Sequence, residues 1–539
     1  MKSYNVDSLP LGYSSFEELR QDKKIYVDKT DLIAQFVNSK SPCFLSRPRR
    51  FGKSLLTTTL KSLFEHGLEY FDGLKIKELW HDTTYPVLYL DFLHFTKNNF
   101  DEFKDDIYDD LEDFALRNNI LIDERVKFKP LKLFKRICSK IEYPFVLLVD
   151  EYDSQLSNNI ENEEEFNKYR DFLYDFFSTT KSYMDKFRFI FITGVSRFSN
   201  ISIFSGFNDT TDLSFIPDFS SLVGFTQEEL ELYFCKYLQR ASNILGRPVN
   251  VLKQELKGYY DGYSFDKFAR THVYNPWSIL KFLADPGSDL TSYWTSSGFS
   301  TLVVNYFKNK FIDPNKDNVF NPLLDNYSID YDELTSSKDI KHLSIISMLY
   351  QSGYLTIDSV SGNIYTLRFP NFEMKRFMAS FFINNVLCYN NLINKPNFPV
   401  GFYKQVIDSL INEDAEKIMD NFGKILNYIS YNSKIFDDEI SVRDIVSLGL
   451  SCIGIDNGFE VQSAKGRCDL VIKFTNVTYA FEFKVARNGD NEEKLLNEAM
   501  DQIIDRKYMV DFTTEKLVRV AIVESAEKHE FTKCKVSCK

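Results

Sequence analysis

The chain has 539 residues and a formal net charge of −12, from 65 Lys+Arg against 77 Asp+Glu. At about 100–200 residues per domain, that length predicts three or four domains. With 44 % hydrophobic and 26 % charged residues, the composition excludes a largely disordered or collagen-like chain. The acidic balance excludes a globally basic nucleic-acid coat, so contact with DNA or RNA must use a local basic surface.

The 50 Phe and 31 Tyr residues are spread along the whole chain, which predicts Phe-rich cores. The eight cysteines are scattered without metal-ligand spacing. Only Cys534 and Cys538 lie close together, with His529 nearby, too few ligands for structural zinc. Sparse cysteines, an N-terminus (MKSYNVDSLPLGYSSFEEL) without a signal-peptide apolar core, and no 18-residue apolar window predict a soluble, intracellular, cytoplasmic protein without membrane contact.

In chain order, the first ~220 residues alternate short apolar runs with amphipathic helical patterns. The runs are Pro42–Ser46, Pro86–Phe92, Phe145–Val149 and Phe187–Thr193. Continuous apolar strands separated by helices predict a buried parallel sheet with crossover helices. Thr226 and Glu229 then form a capping box opening a helix to about Ala241, and Pro276–Ala284 is again helical. Residues 320–400 mix a helix (Ile340–Gln351), two β-like runs and another helix. Gly401–Ile429 reads as helical. From Glu460 come DLVIKF, a Thr475-Asn476 turn, VTYAFEFKV, a helix (Glu492–Tyr508) and a last strand, VRVAIV.

This predicts an α/β multidomain protein. Residues 1–221 form a P-loop core, 222–335 a helical region, 336–400 a small α+β, winged-helix-like connector, and 401–539 a second α/β unit.

Pro42–Ser54 reads PCFLSRPRRFGKS, a strand, a tight turn and Gly52-Lys53-Ser54 opening a helix. Backbone N–H groups at a helix start can cradle phosphate oxygens, Lys53 neutralise β/γ charge, and the Ser54 hydroxyl ligate Mg²⁺. Arg47 stands where such a loop has its first Gly. Downstream, Phe145–Val149 ends in Asp150-Glu151, as a Walker B strand requires: Asp150 in the Mg²⁺ shell, Glu151 polarising water. By themselves the two carboxylates equally suit a helix N-cap. A third strand runs to Thr193 and Gly194-Val195-Ser196-Arg197. Thr193 or Ser196 could sense a γ-phosphate and Arg197 contact it; a helix cap plus a surface arginine is the alternative.

In the C-terminal unit, strand alternation places Tyr479, Phe481, Phe483 and Val485 on one face, Ala480, Glu482 and Lys484 on the other. Asp469 falls with Val471 and Lys473. A hairpin can therefore gather Asp469, Glu482 and Lys484, a set suited to Mg²⁺-dependent phosphodiester hydrolysis with Lys484 acting on the water. A polar hairpin face carrying a Glu/Lys pair is the alternative.

Several stretches in this order resemble a predicted AAA-ATPase-like family joined to a C-terminal PD-(D/E)xK nuclease domain. They are IYVDKTDLI (Ile25–Ile33), SRPRRFGKS (Ser46–Ser54), LLVDEYD (Leu147–Asp153), ITGVSRFS (Ile192–Ser199), YYDGYSF (Tyr259–Phe265), YNPWSIL (Tyr274–Leu280) and QSGYLTI (Gln351–Ile357). GRCDLVI…AFEFK resembles the nuclease D…ExK core. The resemblance implies that Arg47 is the family's own variant, that ATP is the nucleotide, and that a helical lid is built around 222–335. The implied nucleotide-binding set is Arg50, Gly52, Lys53, Ser54, Leu55, Asp150, Thr193 and Arg197. Glu151, Asp469, Glu482 and Lys484 are the implied catalytic residues. Ser54 and Asp150, and separately Asp469, Glu482 and Glu439, are the implied Mg²⁺ ligands. Arg443 stands where the family has a His after Glu439. Gln502 lies where related nucleases use a Gln to orient the site, with an exposed helical Gln as the equal alternative, and Arg506 and Lys507 could face phosphates or form a solvated charged face. Expected partners are nucleic acid, with DNA ahead of RNA, and a second copy of the chain. The competing reading is an ATP-gated switch whose nuclease fold binds nucleic acid or a protein without turnover.

Overall fold

The computed structural model describes residues 8–39, 41–95, 99–159, 162–197, 210–294, 303, 326–335, 344–387, 398, 401–427, 439–463, 466–474, 476–505 and 516–538. They divide into two compact units. The first takes the described residues up to 303 together with 326–373, and the second starts at Met374.

In the first unit β1 (Cys43–Ser46), β2 (Val87–Asp91), β3 (Phe145–Asp150), β4 (Phe187–Gly194) and β5 (Thr211–Asp212) form a sheet ordered β2-β3-β4-β1-β5, every pair parallel. The first four strands fall on the predicted apolar runs. Alternation sends Phe44, Leu88, Leu90, Leu147, Val149, Ile190 and Ile192 to one face, in a core shared with the helices Phe100–Arg117, Pro130–Lys140 and Glu163–Ser182. Cys43, Leu45, Val87, Val146, Leu148, Phe189 and Phe191 pack on the other with Thr30–Phe36 and Lys53–His66. Both faces are dry, which is why these strands are apolar throughout. Each fully buried Leu or Phe contributes about 1.5–3 kcal/mol.

Because β4 lies between β1 and β3, the three strand tips stand side by side at the carboxyl edge, where open α/β sheets bind ligands. The tips of β3 and β4 are locked together. Asp153 Oδ1 and Oδ2 accept from the N–H groups of Val195 (3.1 Å) and Ser196 (2.6 Å), and the Tyr152 hydroxyl donates to the Ser196 carbonyl at 2.8 Å. A Cβ at Gly194 would come within 2.5 Å of the Tyr152 ring, so this approach requires glycine.

The capping box at Thr226 and Glu229 is present, and its helix runs Gln227–Leu245 to a left-handed Gly246. β6 (Tyr327–Asp330), β7 (Thr356–Ser361) and β8 (Ile364–Arg368) form an antiparallel sheet ordered β6-β8-β7, with the helix Ile345–Gln351 before β7. The sequence places a separate connector at 336–400. In the structure its sheet takes β6 from before 336, and residues up to 373 are built into the first unit. Arg197 N donates to Gln351 Oε1 (2.9 Å), Ser264 N to Thr356 Oγ1 (2.7 Å), and Asn371 Nδ2 to the Asp261 carbonyl (2.7 Å). Such buried pairings join segments far apart in sequence and leave no local pattern to read.

The second unit holds β9 (Asn457–Ser463), β10 (Gly466–Lys473), β11 (Val477–Ala486), β12 (Lys516–Ser525) and β13 (Glu530–Cys538), ordered β13-β12-β11-β10-β9. Only β11 and β12 pair in parallel. The helices Phe402–Ile411, Ala415–Leu426 and Glu439–Ile453 share one core with the sheet. Leu496, Ala499 and Met500 of Glu492–Asp505 pack with Ala486, Ala521 and Val523. The region 401–429, read as helical, holds two helices separated where Glu413 takes a left-handed φ of 54°. β13 is absent from the sequence reading. A register shift opposite Val523/Glu524 changes the phase of its alternation, so Phe531 and then Cys534 and Val536 point into the core. The bulge hides the period-2 signal.

Candidate nucleotide and nuclease sites

A cavity of ≈ 530 Å³ opens at the strand tips of the first unit, lined by Arg50, Gly52, Lys53, Ser54, Leu55 and Glu151, with Leu11, Tyr13, Lys29, Leu222, Val223, Pro276, Trp277 and Leu280 forming further walls. The loop after β1 reaches the helix Lys53–His66 through two left-handed residues, Arg50 (φ 70°) and Gly52 (φ 99°). Lys53 is buried. Its Nζ donates to the carbonyls of Arg47 (2.9 Å) and Pro48 (3.1 Å) and lies 2.9 Å from Glu151 Oε1. Glu151 itself sits at φ 51°, a backbone conformation costly for a non-glycine residue and concentrated at functional sites.

Asp150 is fully buried at the end of β3. Its Oδ1 accepts from the Thr193 hydroxyl, and Thr193 Oγ1 accepts from Glu151 N at 3.3 Å. Burial pushes the Asp150 carboxyl up to about 6; the charge of Glu151 adds to the rise, opposed by the Ser54 and Thr193 hydroxyls and Lys53. Its Oδ2 is buried and meets no hydrogen-bond donor among the described residues. A carboxylate oxygen left open beside the Ser54 hydroxyl fits a hard, oxygen-seeking cation such as Mg²⁺.

The Arg47 side chain is buried and does not line the cavity. Nη1 donates to the carbonyls of Ser46 and Ser214 (both 2.9 Å), Nη2 to Phe219 O (3.1 Å), and the guanidinium lies 4.4 Å from the Phe265 ring centroid. Burial lowers its pKa to about 10. Arg197 does not reach the cavity either. It is buried, pairs with Asp212 and stacks 4.1 Å over Phe215. Ser196 is buried with its N–H on Asp153, so of the two candidate sensors Thr193 is the one wired to Asp150 and Glu151. Sequence reasoning did not single out Trp277, whose ring lies 4.3 Å from the Arg50 guanidinium. It also passed over Lys29, buried and held by both Glu229 oxygens at 2.7 Å. Both residues lie inside stretches that carried the family resemblance.

In the second unit the alternation falls as read from Leu470 onward. Leu470, Ile472, Tyr479, Phe481 and Phe483 enter the large core, while Val471 and Ala480 pack on the opposite face with Cys468 and Ile503. Leu470 stands opposite Phe481. Asp469 Oδ2 accepts from Phe483 N at 2.9 Å, between Glu482 and Lys484. Glu482 is 1 % exposed, and its Oε1 lies 4.0 Å from Lys484 Nζ. Burial raises the Cys468 thiol, and the charges of Glu482 and Asp469 add to it. Buried carboxylate oxygens beside a lysine fit a divalent cation as well. Glu439 opens its helix as expected, but its side chain lies outside the described residues, as do Arg506 and Lys507. Arg443 is buried on the same helix, bonded to Asp444 Oδ1. Gln502 is half-buried on the Glu492–Asp505 helix.

Residues 10–204 match the family model for a predicted AAA-ATPase, and residues 445–533 match that of the PD-(D/E)XK nuclease superfamily. The chain is also similar to an uncharacterized protein in the vnfD 5′ region of Azotobacter chroococcum mcd 1, at 28 % identity over 513 residues, covering 93 % of this chain and 92 % of that protein. The chain is therefore similar to a predicted AAA-ATPase over residues 10–204 and to the PD-(D/E)XK nuclease superfamily over residues 445–533.

Proposed function

We propose that the chain binds and hydrolyses ATP in its first unit and cleaves phosphodiester bonds of nucleic acid, DNA ahead of RNA, in its second. The observation that carries the first half is that Lys53, Ser54 and Glu151 line one cavity, with Asp150 buried next to Glu151 and its Oδ2 making no hydrogen bond among the described residues. Lys53 is placed to take the charge of a γ-phosphate, leaving the ion pair with Glu151 as it does so. Glu151 is then released to orient a water, with Thr193 fixing its backbone. Mg²⁺ held by Ser54 and Asp150 would offset phosphate charge.

In the second unit Asp469 and Glu482 are the residues to hold Mg²⁺, which when bound makes a water more acidic. Lys484, two residues beyond Glu482, orients that water or the scissile phosphate. With a net charge of −12, affinity for nucleic acid rests on few cationic contacts and falls with salt. Cleavage of plasmid and single-stranded DNA with Mg²⁺ or Mn²⁺, comparing wild type with Lys484→Ala, tests the nuclease half. Equal cleavage by both would leave a polar hairpin in its place.

A further inference from the structure

Glu373 is fully buried at the end of the first unit. Its Oε2 accepts from the Ser278 hydroxyl at 2.7 Å, and its Oε1 from the N–H groups of Tyr293 (2.6 Å) and Trp294 (2.9 Å). A carboxylate removed from water is costly unless hydrogen-bonded, and these three donors come from two separate segments.

Both segments lead to the phosphate loop. Ser278 follows Trp277 on the helix Pro276–Ala284, whose start is capped by Asn275 Oδ1 on Ser278 N (3.2 Å). Pro276, Trp277 and Leu280 line the cavity, and the Trp277 ring lies on Arg50. On the other side, a Cβ at Gly353 (φ 83°) would come within 2.6 Å of Pro48 Cβ and 3.7 Å of the Trp294 ring. Pro48, Gly353 and Trp294 therefore pack at one point. One carboxylate braces two walls that close on the same loop, at Arg50 and at Pro48.

We propose that Glu373 is a positioning residue for the nucleotide cavity, holding Trp277 on Arg50 and Trp294 beside Pro48; this rests on reading that cavity as a nucleotide site. The chain enters the second unit at the next residue, Met374.

The test uses the full chain with Glu373→Gln and Ser278→Ala, which keep side-chain volume or remove one hydroxyl. Each is made also in a Trp80→Phe, Trp294→Phe background that leaves Trp277 as the sole tryptophan. Acrylamide quenching of Trp277 is read in that background, whereas binding of a fluorescent ATP analogue with Mg²⁺ and thermal melting are measured in the chain that keeps Trp80 and Trp294. Both variants should melt as cooperatively as wild type, expose Trp277 to quencher and bind the analogue about tenfold more weakly. A structural role alone would lower the melting temperature and leave the dissociation constant of the folded fraction untouched; that result, or unchanged quenching in both variants, overturns the proposal. If Glu373→Gln fails to fold, Ser278→Ala carries the test. Altered quenching in variants of a wild type that binds no analogue would overturn the nucleotide reading of the cavity and support the bracing by Glu373.

Discussion

The Lys53 ammonium and Oε1 of Glu151 are 2.9 Å apart and both are largely buried. One contact thus joins the phosphate loop after β1 to the tip of β3, although another strand separates the two in the sheet. A γ-phosphate and Glu151 would compete for the same cation.

Lys53→Ala should abolish ATP hydrolysis and weaken ATP binding, since phosphate then meets no ammonium and Glu151 is left buried beside Asp150. Glu151→Gln should hold ATP and turn it over about 10²–10⁴-fold more slowly, because it keeps the loop and loses the general base. Calorimetric ATP titration beside phosphate release separates the two, and wild-type turnover in Lys53→Ala would remove the phosphate-loop assignment.

Arg47→Gly, which restores the residue a phosphate loop ordinarily has, should not improve nucleotide binding. It strips three carbonyls of a buried donor, with hydrogen bonds to a charged group contributing about 1.5–3 kcal/mol each and not additively. Urea denaturation should show a loss of several kcal/mol, on the order of 3–5. Stability equal to wild type would mean that the guanidinium is dispensable.

In the second unit Asp469→Ala should lose Mn²⁺ binding and cleavage together. Lys484→Ala should keep most of the metal affinity and lose cleavage, because an ammonium cannot ligate a cation. Metal calorimetry and a gel cleavage assay read the two. Joint retention of both properties in both mutants would refute the D…ExK assignment.

Glu373 supplies a pH dependence of known sign. Burial raises its carboxyl from the ordinary 4.5 to about 7, against the pull of Ser278, Trp294 and Tyr293. Between those values the folded chain holds a proton that the unfolded chain has released, so stability falls as pH rises through the window and levels off above it. The ionisable neighbours Tyr260, Tyr263 and Tyr293 are pushed upward by burial and stay neutral there. Glu373→Gln lacks this dependence. The stability of wild type relative to Glu373→Gln should therefore drop by about 3 kcal/mol from pH 4.5 to 8, at ~1.4 kcal/mol per pKa unit. A flat difference in chemical denaturation across that range would contradict the assignment.

The sequence by itself determined the four long strands of the first sheet, the Gly52-Lys53-Ser54 helix start, the Asp150-Glu151 strand tip, and the two faces of the β10–β11 hairpin. Each is written in a local period or a short motif, and burial on one or both faces of a strand fixes that period. Tertiary structure alone decided that Arg47 turns inward onto Ser214 and Phe219, that Arg197 is taken by Asp212, and that Trp277 meets Arg50. It also decided that Glu373 joins Ser278 to Trp294, and that β13 keeps its place in the sheet across a bulge. Those outcomes depend on which distant carbonyl, carboxylate or ring satisfies a buried polar group. Only the folded chain brings such partners within hydrogen-bonding distance.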